Sequence, residues 1–399
     1  MSHTINATRM MTAFAVVMGV AWPVHAQPIP TQGPAINPTF YKAADGAKTV
    51  TVDCDDTKQS LTAALADKTP GDLNIVFSGT CKEYVTVRRD DVAIRGKDAA
   101  ASIAGNIEIN GYQRVLLENF TCRENTQSEY CIGALHGASV TLHNVKVLNS
   151  RVRGVLLLNV TAVIDGLSID KTGSTSMLSR GSSVRMEGEL TFANSPEGCL
   201  VINDGTNVFS RIGTFTARDC GAGIIVQANS MLEAPFASFT INHNSVVGLL
   251  IATHASFVYG GTIVAKNNTR VGILVDDNSS FSPLSNIASG AALTLESNGE
   301  AGIEVTQGSL VELANVKAAT GSNYGIRVDD SRLRIGRSTI SGNGKADVRL
   351  QFGAHATFLE GATVGTLLCD GTELVRGNKT PCTPDAKSTT KTSNGPSKP

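Results

Sequence analysis

The chain has 399 residues, a net charge of −1 and 41% hydrophobic residues, enough for two ordinary domains or one long repeat. Phosphate neutralisation needs a clustered Lys/Arg surface that this balance does not supply, so no nucleic-acid partner is expected.

At the start, Met1 to Met11 with Arg9 precedes an apolar run from Thr12 to Val20 and then Pro23-Val24-His25-Ala26. That is the pattern of a signal peptide over 1–26, cleaved after Ala26; a retained anchor is the alternative. The run is short for a bilayer, and no later apolar stretch is long enough to be a transmembrane segment. A secreted or periplasmic protein is expected, without a lipid anchor, because no Cys sits near the cleavage site. Residues 27–50 are rich in Pro, Gly, Ala and Thr and read as an extended lead-in. Residues 51–72 read as an N-terminal cap: Asp56-Thr57 opens a short helix that runs to Ala66. Its face of Leu61, Ala64 and Leu65 would close the apolar end of the strand-rich region beyond it, with Pro70-Gly71 as the stop.

From Leu73 the pattern becomes short strands, Leu73 to Phe77, Tyr84 to Val87, Val92 to Arg95, Ile107 to Ile109 and Val115 to Leu117, too close together for interposed helices. Coils start near Cys131 and Gly154 and lose register between Gly173 and Glu197. There Lys171 to Arg185 reads as a degenerate coil or a protruding loop, and loops on rigid scaffolds often carry binding groups. The register returns as Gly-Cys-Leu-Val from Gly198, Gly-Ile-Ile-Val from Gly223, Gly-Leu-Leu-Ile from Gly248 and Gly-Ile-Leu-Val from Gly272. It goes on as Gly-Ile-Glu-Val from Gly302, Gly-Ile-Arg-Val from Gly325 and Asp-Val-Arg-Leu from Asp347. Successive starts are 25, 25, 24, 30, 23 and 22 residues apart, a period that suits one coil of a β-solenoid.

The first position after each leading Gly (Val155, Cys199, Ile224, Leu249, Ile273, Ile303, Ile326, Val348) and the third (Leu157, Val201, Val226, Ile251, Val275, Val305, Val328, Leu350) are apolar throughout. Strand alternation places both columns inside a tube. Four residues before these starts stand Asn194, Asp219, Asn244, Asn268, Asn298 and Asn343, with Asn149 five before Gly154 and Gly321 at this place before Gly325. This is a column suited to a left-handed corner with coil-to-coil hydrogen bonds.

On these coils, strands and corner residues, the stretch from Leu73 to Leu368 resembles the right-handed parallel β-helix of the pectate-lyase-like superfamily. The resemblance implies an all-β fold, a single right-handed parallel β-helix over 73–368 with a short N-terminal capping helix. It does not imply one activity, since the fold hosts lyases, hydrolases, epimerases and adhesive proteins. Family lyases hold calcium with clustered carboxylates and use Arg or Lys as base. The Asn-Thr-Asp, Gly-His-Gly and Arg-Ile-Lys blocks of the galacturonan hydrolases are absent here, as is the Asp-Pro-His-Asp block of the alginate epimerases.

Export lets disulfides persist. Cys54 with Cys81, Cys122 with Cys131, and Cys369 with Cys382 are sequence-local pairs. Cys199 and Cys220 form a fourth pair or remain buried thiols. Eight cysteines allow 105 connectivities, so proximity alone suggests these pairs; no spacing matches a zinc site and no metal is expected. Residues 369–399 read as a disulfide-clipped and then disordered tail.

The second position after each Gly points outward. It is Leu156, Leu200, Ile225, Leu250 and Leu274, then Glu304, Arg327 and Arg349. The apolar stripe needs a cover, either a segment of the chain or a second copy in a homo-oligomer. Arg327, Arg332, Arg334, Arg337 and Arg349 gather near Asp329 and Asp330. They would contact a polyanionic sugar chain, or form a solvated face in which Glu304 stacks against Arg327. Asp276-Asp277 and Asp329-Asp330 close their strands and read as turn residues, too far apart for one calcium. His136, His143, His243, His254 and His355 show no pairing with a carboxylate. Trp22 leaves with the signal peptide, so aromatic platforms for neutral sugars are few.

Two functions fit. The missing blocks favour a non-catalytic component of the cell envelope or extracellular matrix that binds polysaccharide or an envelope protein, without cofactor. The alternative is a lyase or epimerase acting on an acidic polysaccharide, with Asp276, Asp277, Arg327, Asp329 and Arg349 as substrate contacts. Calcium is expected only under that alternative.

Overall fold

The computed structural model describes residues 41, 46–123, 127–284, 290–321, 323–377 and 380–385. The expected signal peptide, the lead-in apart from Tyr41 and residues 46–50, and the tail beyond Asp385 lie outside them. The described residues belong to one unit, Asn37–Pro399. It is a right-handed parallel β-helix in which neighbouring strands pair in parallel from Lys48–Asp53 to the end. One sheet has fourteen strands, from Tyr84–Val87 to Cys382–Pro384, and the other has twenty-five. All five expected early strands form, at Leu73–Ser78, Tyr84–Val87, Val92–Gly96, Asn106–Asn110 and Val115–Glu118.

The capping helix is shorter than expected. It spans Leu61–Leu65, because Asp56 turns the chain beforehand: its carbonyl accepts from Gln59 N and its carboxylate from Lys58 N. Ser60 is the N-cap, its Oγ accepting from Ala63 N at 3.1 Å, as a helix start requires. Glu83 accepts from the free amides of Leu61 (2.7 Å) and Thr62 (3.0 Å). Leu61 and Leu65 are buried, with Ala64 packed beside them.

Along the fourteen-stranded sheet the inward column reads Val155, Met177, Leu200, Ile224, Leu249, Ile273, Ile303 and Ile326 in strict register. Met177 shows that the segment Lys171 to Arg185 is a regular coil and not a loop, with strands Thr161–Thr172, Thr175–Arg180 and Ser183–Ala193. The Gly198 coil is offset by one residue from the expected alignment. Leu200 pairs with Ile224 and Val201 with Ile225, so Leu200 points inward and Val201 outward. A one-residue slip exchanges the two faces of a strand.

The corner column also divides in two. Asn149, Asn194 and Asp219 have φ near +56° and share their column with His243 and Asn267. Asn244, Asn268 and Asn298 are the next residue along, without positive φ, and are buried inside the tube. Asn244 Nδ2 donates to Asn268 Oδ1 at 2.9 Å, and Asn268 Nδ2 to Asn298 Oδ1 at 3.0 Å. One column therefore bends the backbone and the other carries the coil-to-coil bonds.

The leading Gly serves that amide ladder. A Cβ on Gly248 would lie 2.5 Å from Gly272 O and 2.8 Å from Asn268 Nδ2, and Gly223 and Gly272 face the same obstruction. Where the corner lacks Asn the strand residue changes with it. Ser176 bonds to Ser195 at 2.5 Å, and Cys199 is joined to Cys220. A second ladder, missed in the sequence, runs along another corner. Ala255 N donates to Ser279 Oγ, Ser279 N to Ser309 Oγ and Ser309 N to Ser331 Oγ, at 3.1–3.2 Å. Inside, Phe215 stacks on Phe239 at 4.6 Å and Tyr259 on Phe281 at 4.8 Å.

The three sequence-local disulfides are present, Cys54–Cys81, Cys122–Cys131 and Cys369–Cys382, and of the two readings left open for Cys199 and Cys220 the structure has the disulfide. They fit an oxidising compartment outside the cytoplasm. Among the described residues no helix is long and apolar enough to cross a membrane.

Candidate functional site

The outer face of the fourteen-stranded sheet changes character along its length. Leu156, Leu178 and Val201 form a nearly shut apolar patch, 6–8% exposed, flanked by Tyr130, Leu135 and Leu158. Half-buried Ile225, Leu250 and Leu274 continue it beside Val247 and Val271. The stripe thus includes Leu178 and Val201 and excludes Leu200.

Beyond Leu274 the same column becomes Glu304, Arg327 and Arg349, paired in register. The strand alternation that faced Leu274 outward does the same for these ionic side chains, on a rigid ladder rather than a loop. Arg327 lies between two carboxylates, with Nη1 3.2 Å from Glu304 Oε1 and Nη2 2.6 Å from Asp329 Oδ2. Glu304 and Asp329 are 14% and 12% exposed at the side chain. Burial pushes the Glu304 carboxyl above its usual range against the pull of Arg327, and the charges of Asp329 and Glu300 add to the rise. Burial also raises Asp329, against Arg327 and Arg349. Arg349 stacks on the Tyr324 ring, 5.3 Å from its centroid, and Lys345 lies 5.7 Å from the same centroid.

Of the five expected contacts, Arg327, Asp329 and Arg349 therefore come together. Asp276 belongs to the adjacent outward column, where Thr306 separates it from Asp329 in register; Thr306 Oγ1 donates to Asp276 Oδ1 at 2.6 Å. Asp277 and Asp330 have φ of 51° and 45° and turn the chain. Arg332 and Arg334 leave the group, because the strand Arg332–Gly336 belongs to the other sheet, where Arg334 pairs with Glu312. Glu304 and Tyr324 are the members missing from the expected set. The switch from Leu274 to Glu304 within a single column was the signal for the first.

The histidines also need correction. On the twenty-five-stranded sheet His143 Nδ1 lies 2.7 Å from Glu118 Oε1 and Nε2 3.7 Å from Asp165 Oδ2, while Arg95 holds Glu118 at 2.8 Å. The four residues are register neighbours from separate coils, and their separation in sequence hid the pairing. One group among the described residues has metal-ligand spacing, Cys369, Glu373 and Cys382. Its sulfurs are consumed by a disulfide.

No family model matches the chain. No curated protein sequence matches it. Solved structures are similar in winding. A periplasmic alginate epimerase is 13% identical with a TM-score of 0.41, the match covering 82% of each chain. The A-module of a mannuronan C-5 epimerase from Azotobacter vinelandii is 12% identical with a TM-score of 0.42, covering 81% of this chain and 92% of that one. A mannuronic acid-specific family 6 polysaccharide lyase from human gut microbiota is 11% identical with a TM-score of 0.41, covering 78% and 86%. The parallel β-helix itself stands on this chain's own strand pairing. At these identities and TM-scores the likeness carries no inference about this chain.

Proposed function

We propose that the protein is a carbohydrate-active enzyme acting on an acidic polysaccharide, with the ionic end of the fourteen-stranded sheet as its site. The observation that carries this reading is the pair of shielded carboxyls, Glu304 and Asp329, held on either side of Arg327 with their proton affinity raised by burial. A carboxyl so raised holds or accepts a proton closer to neutral pH than an exposed one, which suits general acid–base work. Lyase and epimerase chemistry on a uronate both begin with removal of the proton beside the sugar carboxylate, and both need that carboxylate's charge met. In this reading Glu304 and Asp329 move the proton. Arg349, planar and braced on Tyr324, meets the carboxylate, a task its guanidinium geometry fits. Arg327 keeps the two carboxyls apart and sets their charge. The site presents few aromatic faces, in keeping with a charged rather than a neutral sugar.

Purified protein is incubated with pectate, alginate and glycosaminoglycans, with and without calcium. Ultraviolet absorbance is followed for unsaturated uronate, and NMR for altered uronate composition. Turnover that is lost in Glu304→Gln and Asp329→Asn supports the reading. Binding without any product would return the protein to the non-catalytic polysaccharide-binding class, and absence of both would refute an acidic polysaccharide as its target.

A further inference from the structure

Resting on that functional reading, we infer that Asp385 occupies the position of the substrate's carboxylate, so that the last strand is a built-in competitor at Arg349. Arg349 Nε and Nη2 both reach Asp385 Oδ2, at 2.8 and 2.7 Å. The pair is shielded, with side chains 19% and 14% exposed. Its reach across the sheet sets it apart. Arg270 pairs with Glu300 from the next coil, and Arg327 pairs with Glu304 and Asp329 from the preceding coil and its own. Arg349 instead takes a carboxylate from two strands further on, across the register position of Leu368. Nothing in the coil geometry requires so long a reach.

The segment that brings Asp385 there is stitched down independently of the ion pair. Cys382–Pro384 runs in register beside Leu367–Cys369, and the Cys369–Cys382 disulfide links the two strands. Asp385 N donates to Cys369 O at 2.8 Å and Thr380 Oγ1 to Val364 O at 2.8 Å. The Asp385 side chain is therefore delivered to Arg349 by the backbone and can be displaced from it without unfolding the strand. An acyclic carboxylate against an arginine braced on Tyr324 is the arrangement a uronate carboxylate would adopt there. The consequence is graded. A substrate chain has to exchange its carboxylate for that of Asp385, which lowers affinity for short oligomers most, because they bring the fewest other contacts.

The test compares wild type, Asp385→Asn, Asp385→Glu and Asp385→Ser with alginate and pectate hexasaccharides by calorimetry at low salt, with circular dichroism melts to establish folding. Asp385→Asn and Asp385→Ser are expected to bind about five- to tenfold more tightly than wild type, the range for removing one partly shielded ionic competitor. Asp385→Glu should stay near wild type, and Arg349→Gln added to Asp385→Asn should abolish the gain. Tighter binding that survives loss of Arg349 would overturn the inference. Unchanged affinity in both Asp385→Asn and Asp385→Ser, with wild type binding or turning over the polymer, would overturn it and leave the functional reading standing. If no form binds or acts on either sugar, both fall.

Discussion

Replacing Asn268 by Ala tests the amide ladder most directly, with Asn267→Ala as its neighbour and control. Asn268 is buried, and its Oδ1 accepts from Asn244 N at 3.2 Å and from Asn244 Nδ2 at 2.9 Å. Its Nδ2 donates to Asn298 Oδ1 at 3.0 Å and to Ile241 O at 3.3 Å. Alanine strands the Asn244 amide in the dry interior and leaves Ile241 O short of a partner, whereas Asn244 Nδ2 keeps Ala217 O. At about 1–3 kcal/mol for each of the two buried polar groups left unpaired, the loss should be about 2–6 kcal/mol. Asn267 has φ of 54° and an exposed side chain whose Nδ2 lies 3.4 Å from His243 Nε2, so its replacement costs mainly the left-handed strain of a β-carbon without a polar side chain, about 1 kcal/mol. Urea denaturation followed by circular dichroism compares the two, with the slopes checked for loss of cooperativity, since solenoids can open coil by coil. Equal destabilisation by both variants would refute the division of the corner into a bending column and a bonding column.

The remaining predictions concern charge, cross-links and surface. Glu304 is raised in the folded state, so its stabilising contribution is complete below the ordinary Glu value and is lost as pH rises through the raised one. The stability of Glu304→Gln relative to wild type should therefore improve from about pH 4 to pH 7; a relative stability that falls over that window would reverse the sign of the argument. Removing Cys199–Cys220 as Ala/Ala should cost about 3 kcal/mol for a loop of this length, whereas Cys199→Gly with Cys220→Asn should recover part of it in the same denaturation assay. Leu156, Leu178 and Val201 are already nearly closed off within the chain, so light scattering after size exclusion should return the monomer mass; a dimer that Leu250→Asp dissociates would assign the stripe to a subunit interface.

The repeat was legible because inward positions along a stacked strand must be apolar in every coil, and that pressure is visible in any one sequence. The offset at Gly198 was not, because Cys199, Leu200, Val201 and Ile202 are all apolar and give alternation no polar residue to settle the phase. The Met177 coil escaped for a related reason: Ser176 takes the place of the leading Gly, so the marker is absent although the geometry is kept. At the site, Arg327 and Arg349 could be expected to cluster because they stand one coil period apart, and Asp329 because it lies two residues from Arg327 on the same strand. Glu304 stood in the same column, and only its burial, which no sequence displays, made it an acid–base candidate. The contacts of Asp385 with Arg349 and of His143 with Glu118 depend on which outward side chains of separate coils meet, and a period alone does not determine that. The serine ladder was visible as Ser279, Ser309 and Ser331, but serine is common enough in turns to pass as ordinary turn chemistry.

The pairing of each strand's lead residue with the corner of the following coil behaves as a joint with interchangeable fittings: serine with serine, cystine, or glycine with asparagine. The serine and cystine fittings involve only two adjacent coils, whereas glycine with asparagine also bonds to the asparagine of the next corner. A coil can therefore be inserted, deleted or transplanted if its two joints match those of its new neighbours, whatever its outward residues are. Length and surface chemistry are then separately adjustable in this chain, and the ionic site could be moved along the tube without redesigning the tube that carries it.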